Sequence, residues 1–257
     1  MTSMTQGPWT RIRPLQIDEV DDKTAAAFKQ AELTWGRFPN NLIKVMGYCP
    51  RLTQTEVEYA NTFIFDPKTF EGDLQTAGFL DRYLRELVIS RTSLVNKALY
   101  SITHHSFIGM ALFKAAGREE EGHRKLLHLH EHEKHPDMYT ELERAVLDYT
   151  VPVTRNPHEV TDELFDRLRA AFTAHNQQDA RLAALGVEAM DRYVSAQIVE
   201  LTWLIGHFCL LNRWFTALQV PDETAEDEAN FLGAYAEMVP EDIRQRNEAV
   251  LASAASA

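Results

Sequence analysis

Cysteine is nearly missing from this sequence: Cys49 and Cys209 are the only two in 257 residues, and they stand far apart. Neither belongs to a CxxC pair or to a zinc-ligand spacing, and both are expected to be small buried apolar residues. Glycine and proline are scarce, at 11 and 10 residues, and Gly/Ser linkers are missing. The chain therefore reads as a single domain over 1–257. Positive charge is also short. There are 26 Lys and Arg against 38 Asp and Glu, for a net charge of −12. Without a basic patch to neutralise phosphates, nucleic acid is not expected as a partner, nor is an anionic membrane. The opening MTSMTQGPWTRIRPLQ lacks the apolar centre of a secretory signal. The longest apolar stretch, around LTWLIGHFCLL, is about half of what a membrane span needs. A soluble, cytoplasmic protein is expected.

What the sequence does have is amphipathic helix with a 3.6-residue period almost throughout. One helix is expected over 18–34. A short and a longer one flank the break at Pro50, and others span about 79–95 and 97–116, the latter closed by Gly117. DPKTFEGDLQTAGFL carries the turn residues of a connection. TELERAVLDYTVPVT opens on a capping box, Thr140 and Glu143, and is expected to stop before Pro152. VTDE at 160–163 starts another helix, residues 178–219 hold one or two, and a last one fades into the small-residue tail. No alternating β pattern persists. The fold is read as all-α, a single-domain helical bundle. RELVISRTSLVNK and VELTWLIGHFCLLNR echo each other weakly, which either a duplicated hairpin or chance explains.

NKALYSITHH, residues 96–105, puts Ala98, Ser101 and His105 on one helical face. Together with Glu86, the stretch LRELVISRTSLVNKALYSITHH resembles the core helix pair of the carboxymuconolactone decarboxylase / alkylhydroperoxidase D-like superfamily. Its thiol-bearing members carry Glu, eleven residues, Cys, two residues, Cys, three residues, His. Counted from Glu86, the thiol positions fall on Ala98 and Ser101 and the histidine on His105. RFPNNLIKVMGYCPRL upstream, and ERAVLDYTVPVTRNPHEVTDELFDRL and VELTWLIGHFCLLNRWFTALQV downstream, extend the resemblance over about 36–220. It implies an alkylhydroperoxidase D-like bundle and a homo-oligomer, whether dimer, trimer or hexamer. A thiol peroxidase is excluded, because Ala98 has no nucleophile and Ser101 can form no disulfide.

What remains is a Glu/His pair at the family's proton-relay positions. A carboxylate that orients an imidazole makes a general acid or base. The bland alternative puts Glu86 in a surface ion pair with Arg82 or Arg85, and His105 in the core. Tyr100 and Ser101 are candidates to hydrogen-bond a developing enolate oxygen, or simply packing residues. His104 points about 100° away from His105 and is read as structural. Glu200, His207 and Arg213 are substrate-binding candidates, with Arg213 as a carboxylate anchor; burial among helices or at a subunit interface is the alternative. The expected function is a lyase, decarboxylase or isomerase without cofactor or metal. Its partner would be a small carbonyl or lactone carboxylic acid. One rival is a non-catalytic ligand-binding oligomer. Another is a metal-dependent enzyme using HRKLLHLHEHEKHPD, where His128, His132 and His135 have zinc-compatible spacing.

Overall fold

Short polar side chains start the helices by accepting backbone N–H groups that have no partner in the first turn. Asp21 caps α1 (Asp22–Thr34), Asn40 caps α2 (Asn41–Met46) and Asp81 caps α4 (Arg82–Asn96). Pro50 is the first residue of α3 (Pro50–Phe63), where its missing N–H costs nothing. The computed structural model describes residues 11–35, 40–64, 78–223 and 231–255. Most of the expected connection DPKTFEGDLQTAGFL lies outside the described residues.

α5 (Leu99–Ala115) ends at Gly117, as its spacing predicts. With φ at +69°, Gly117 turns the chain so that Arg118 N donates to Phe113 O at 2.8 Å. α6 (Glu119–His128) and two 3₁₀ turns, Leu129–Lys134 and Pro136–Met138, follow. Thr140 and Glu143 form the predicted capping box of α7 (Glu141–Arg155). This helix does not stop before Pro152; it continues to Arg155 with the proline inside. Only the bond to Asp148 O is lost, on a half-exposed face where solvent can substitute. α8 (Asp162–Asn176), α9 (Ala180–Ala183), α10 (Val187–Leu218), α11 (Phe231–Met238) and α12 (Glu241–Ala255) complete an all-α fold, without a strand among the described residues. The helix expected from residue 18 begins as a 3₁₀ turn, Ile17–Glu19, and becomes α-helical only at Asp22.

α4 is the central element, packed between α5, α7 and α10. Its Val88 and Ile89 join the larger apolar cluster, while Leu87 and Leu94 join a second one with α6, α11 and α12. Enclosure on every side forces its polar residues inside too: Arg82, Arg85, Glu86, Ser90, Thr92 and Ser93 are all buried. Gly109 lets α5 approach closely, since a Cβ there would stand 3.1 Å from Leu126 Cδ1 and 3.6 Å from Glu86 Cγ. α10 is long and apolar enough to cross a bilayer by length and composition, although half of its most apolar window is buried in the fold.

Candidate functional site

Arg82 and Glu86 are one turn apart on α4, and their side chains are 0% and 1% exposed. A carboxylate so deeply buried is costly unless it is paired. Arg82 Nη1 donates to Glu86 Oε2, and His105 Nδ1, reaching across from α5, meets Oε1. Burial alone would raise the Glu86 pKa; the charge of Arg82 and the hydrogen bond from His105 overcome it and hold the group below the usual carboxylate range. An ionised carboxylate only accepts, so Nδ1 is the protonated ring nitrogen of His105. Its Nε2 has no hydrogen-bond partner among the described residues. The ion pair with Arg82 exists, but it lies in the core rather than on the surface.

His105 lines a cavity of about 50 Å³, enough for several waters or a small ligand, since one water needs about 10–15 Å³ on this scale. Tyr100, Ser101, His104 and Ile108 of α5 line it as well, facing Phe208, Leu211 and Phe215 of α10. Trp35, Asn40, Leu42, Glu56, Ala60 and Ile64 close the remaining walls. Ala98, at the first thiol position, is fully buried outside this lining.

The two hydroxyls on α5 are already engaged. Ser93 Oγ donates to Ile89 O at 2.7 Å, so the 2.7 Å contact between Ser93 and Ser101 uses the Ser101 proton. Tyr100 Oη donates to Glu223 Oε1 at 2.9 Å, with Asn40 Oδ1 at 3.1 Å, and accepts from Leu42 N at 3.3 Å. Burial pushes its pKa well above 10. Neither hydroxyl keeps a free proton for an enolate oxygen. Asn40, which sequence reasoning missed, also lines the cavity; its Oδ1 accepts from Ile43 N at 3.3 Å, and its amide Nδ2 is a donor by chemistry.

His104 lines this cavity beside His105, but is held at both ring nitrogens. The lining spans more than 100° of the α5 surface. His104 Nδ1 meets Tyr100 O at 2.7 Å and Nε2 meets Glu223 Oε2 at 2.8 Å. Both partners are acceptors, so both nitrogens carry protons and the ring is a fixed cation. Burial disfavours that charge, yet Glu223 keeps the His104 pKa above its ordinary value. Stacking between Tyr100 at 4.1 Å and Phe231 at 4.0 Å holds the ring in place. Asp222, its pKa raised to about 6 by burial, accepts from Thr103 Oγ1 at 2.9 Å. The two adjacent imidazoles thus differ in kind: one is locked as a cation, and the other has a free nitrogen.

The three substrate-binding candidates lie elsewhere. Glu200 pairs with Arg85 and accepts Phe79 N at 2.7 Å, away from the cavity wall. His207 stands one residue behind the wall, its Nε2 3.0 Å from Oε1 of the lining residue Glu56. Arg213 is exposed, with Nη1 on Cys209 O at 3.1 Å in its own helix, and anchors nothing in the cavity. Of the two cysteines, Cys209 is buried as expected, but Cys49 is exposed beside the turn before α3. Glu223 and Asp222 were invisible in sequence, being over a hundred residues from the histidine they hold; no spacing signal marks them.

No family model and no curated protein matches this chain. Solved structures do. An uncharacterized peroxidase-related protein from Silicibacter sp. TM1040 is 17% identical, with a TM-score of 0.56 over 89% of this chain and 99% of that one. A peroxidase-related protein with an alkylhydroperoxidase AhpD core, from Ralstonia eutropha JMP134, is 16% identical, with a TM-score of 0.55 over 85% and 94%. A cysteine-to-alanine variant of the debrominase Bmp8, in complex with 2,3,4-tribromopyrrole, is 21% identical, with a TM-score of 0.56 over 91% and 100%. The chain has the alkylhydroperoxidase D-like fold, and its two cysteines form no CxxC pair.

Proposed function

We propose that this protein is a non-redox, cofactor-independent enzyme, an isomerase or decarboxylase-type lyase, that moves a proton on a small carbonyl compound. The observation that carries the reading is the buried Arg82–Glu86–His105 chain, ending in an unbonded ring nitrogen on a cavity residue. His105 Nε2 takes a proton from the carbon next to the carbonyl, and the C–H electron pair becomes an enolate. Glu86 balances the imidazolium that forms, and Arg82 keeps Glu86 ionised. Return of the proton to another carbon isomerises the substrate. In a decarboxylation, the protonated ring supplies the proton to the carbanion left by CO₂. Such positioned acid–base catalysis contributes about 10²–10⁴-fold. Asn40 Nδ2 is the donor for the enolate oxygen, in the role first considered for Tyr100 and Ser101.

The described lining contains no Arg or Lys, and Arg213 lies outside it. That favours isomerisation of a neutral ketone or lactone over decarboxylation of a carboxylic acid, since the cationic ring in the described lining, His104, is already paired with Glu223. The test is deuterium wash-in from D₂O at the α-carbon of small cyclic ketones and lactones, followed by proton NMR. Exchange is expected with the unmodified protein and lost in Glu86→Gln and His105→Ala, with helical circular dichroism unchanged. Retained exchange in either variant overturns the mechanism.

The apolar walls, Trp35, Leu42, Ile108, Phe208, Leu211 and Phe215 among them, favour a second reading as a ligand-binding protein without turnover. Ligand-induced NMR shifts without wash-in would select it.

A further inference from the structure

The histidine-rich run 123–135 shares no residue with the cavity and folds into an arrangement of its own. α6 ends at His128, and the following 3₁₀ turn breaks at Glu131, whose φ of −138° and ψ of 39° are not helical. The break folds Glu131 and His135 back over the end of α6. The rings of His128 and His135 lie with centroids 3.8 Å apart. Glu131 Oε1 is 4.0 Å from His128 Nδ1 and 3.5 Å from His135 Nε2. One donor atom from each of the three side chains lies within 4.8 Å of the other two. His128 Nδ1 is buried, with no hydrogen-bond partner among the described residues.

We propose that His128, Glu131 and His135 bind a divalent transition metal of the zinc class, with a fourth position left to water. Tetrahedral ligands at about 2.1 Å from zinc are about 3.4 Å from one another, so small side-chain rotations close the site. All three side chains are about a quarter exposed and free to make that adjustment. Two imidazoles with one carboxylate suit zinc, nickel or copper, whereas calcium and magnesium require oxygen ligands throughout. Lys134 occupies only the other Glu131 oxygen, at 2.8 Å, and is itself largely exposed. Arg246 opposes a cation here and Asp242 favours one. His132, whose spacing also suited zinc, is turned away onto Asp148 at 2.8 Å, and His123 is held by Asp242. The bound metal would clip the 3₁₀ segment to α6, adding to the anchor that Arg91 Nη1 makes on His130 O at 2.6 Å.

The test is calorimetric titration of tag-free protein with zinc chloride, and with calcium chloride for comparison. One zinc per chain is expected and no calcium. His128→Ala and His135→Ala should each weaken zinc at least about tenfold, while His123→Ala leaves it unchanged. Zinc should also raise the melting temperature of the unmodified protein but not of the two variants. Zinc-dependent shifts of the His128 and His135 ring protons in the unmodified protein read the same site without any substitution. Absence of saturable one-to-one binding overturns the proposal. So does binding that survives removal of both ligands, or that falls equally in His123→Ala.

Discussion

Ser101 gives its hydroxyl proton to Ser93, 2.7 Å away on α4, and not to His105 one turn further along its own helix. Ser93 in turn donates to Ile89 O, so the order of the chain is fixed. A serine that keeps its proton away from the neighbouring imidazole is not an activated nucleophile. Ser101→Ala should therefore cost roughly 1 kcal/mol of stability and lower turnover less than about tenfold, whereas His105→Ala lowers it by about 10²–10⁴. Steady-state kinetics of the two variants on one substrate makes the comparison. Equal losses would return Ser101 to the chemistry.

Arg82 is the residue that makes an ionised Glu86 affordable in the core. Removing one partner of a fully buried pair leaves a charge uncompensated, at about 3–5 kcal/mol. Arg82→Met should show a loss of that order in urea denaturation. The double variant Arg82→Met with Glu86→Leu should recover part of it, since two apolar side chains replace two charges. It should not recover activity. A single variant as stable as the unmodified protein would mean that His105 alone suffices to hold Glu86.

The helices were legible because their boundaries are written locally. Thr140 with Glu143, Gly117 and Pro50 each act within a turn of their own position. Pro152 misled for the same reason: its local preference is to end a helix, but packing of α7 against α4 and α8 carries the helix past it. Glu86 and His105 were legible through a pattern spanning two consecutive helices. Glu56 and Asn40 reach the same cavity from distant parts of the chain, and Glu223 and Asp222 reach the α5 residues at its wall. Only the packing of helices decides that, and one sequence does not record it. Glu200 shows the converse. Its echo of Glu86 placed it in the site on paper, while Arg85 holds it elsewhere.

The cluster of His104, Asp222 and Glu223 gives stability a definite pH dependence. Asp222 is raised to about 6 by burial, above the unfolded value of about 3.9. Its contribution is present below pH 3.9 and is lost as pH rises through about 6. His104, held above its ordinary 6.5 by Glu223 against the effect of burial, contributes below that pH and loses its contribution as pH rises through the folded value. Both act in one direction on the alkaline side. Glu86 and Glu223 are lowered, burial being outweighed by their cationic partners, so their contributions vanish as pH falls through their folded values. The melting temperature should therefore fall between about pH 5 and pH 8. Asp222→Asn should remove the earlier part of that fall and leave the part above about pH 6.5. A flat profile in the unmodified protein would contradict the charge assignment of His104.

The outer face of α10 carries Val199, Trp203, Gly206 and Leu210 at successive spacings of four, three and four residues. The three large side chains are 69%, 64% and 60% exposed. That spacing is an apolar seam suited to packing against another helix, and Gly206 lets a partner backbone come close. A second copy of the same chain offers the matching seam about a two-fold axis. The homo-oligomer expected from sequence is therefore proposed to form here. Light scattering after size exclusion should give at least a dimer for the unmodified protein. Trp203→Glu and Leu210→Glu should shift it toward monomer with little change in helical circular dichroism, since neither side chain is in the core. A monomer at every concentration, or an oligomer indifferent to both charges, would place the subunit contact elsewhere or remove it.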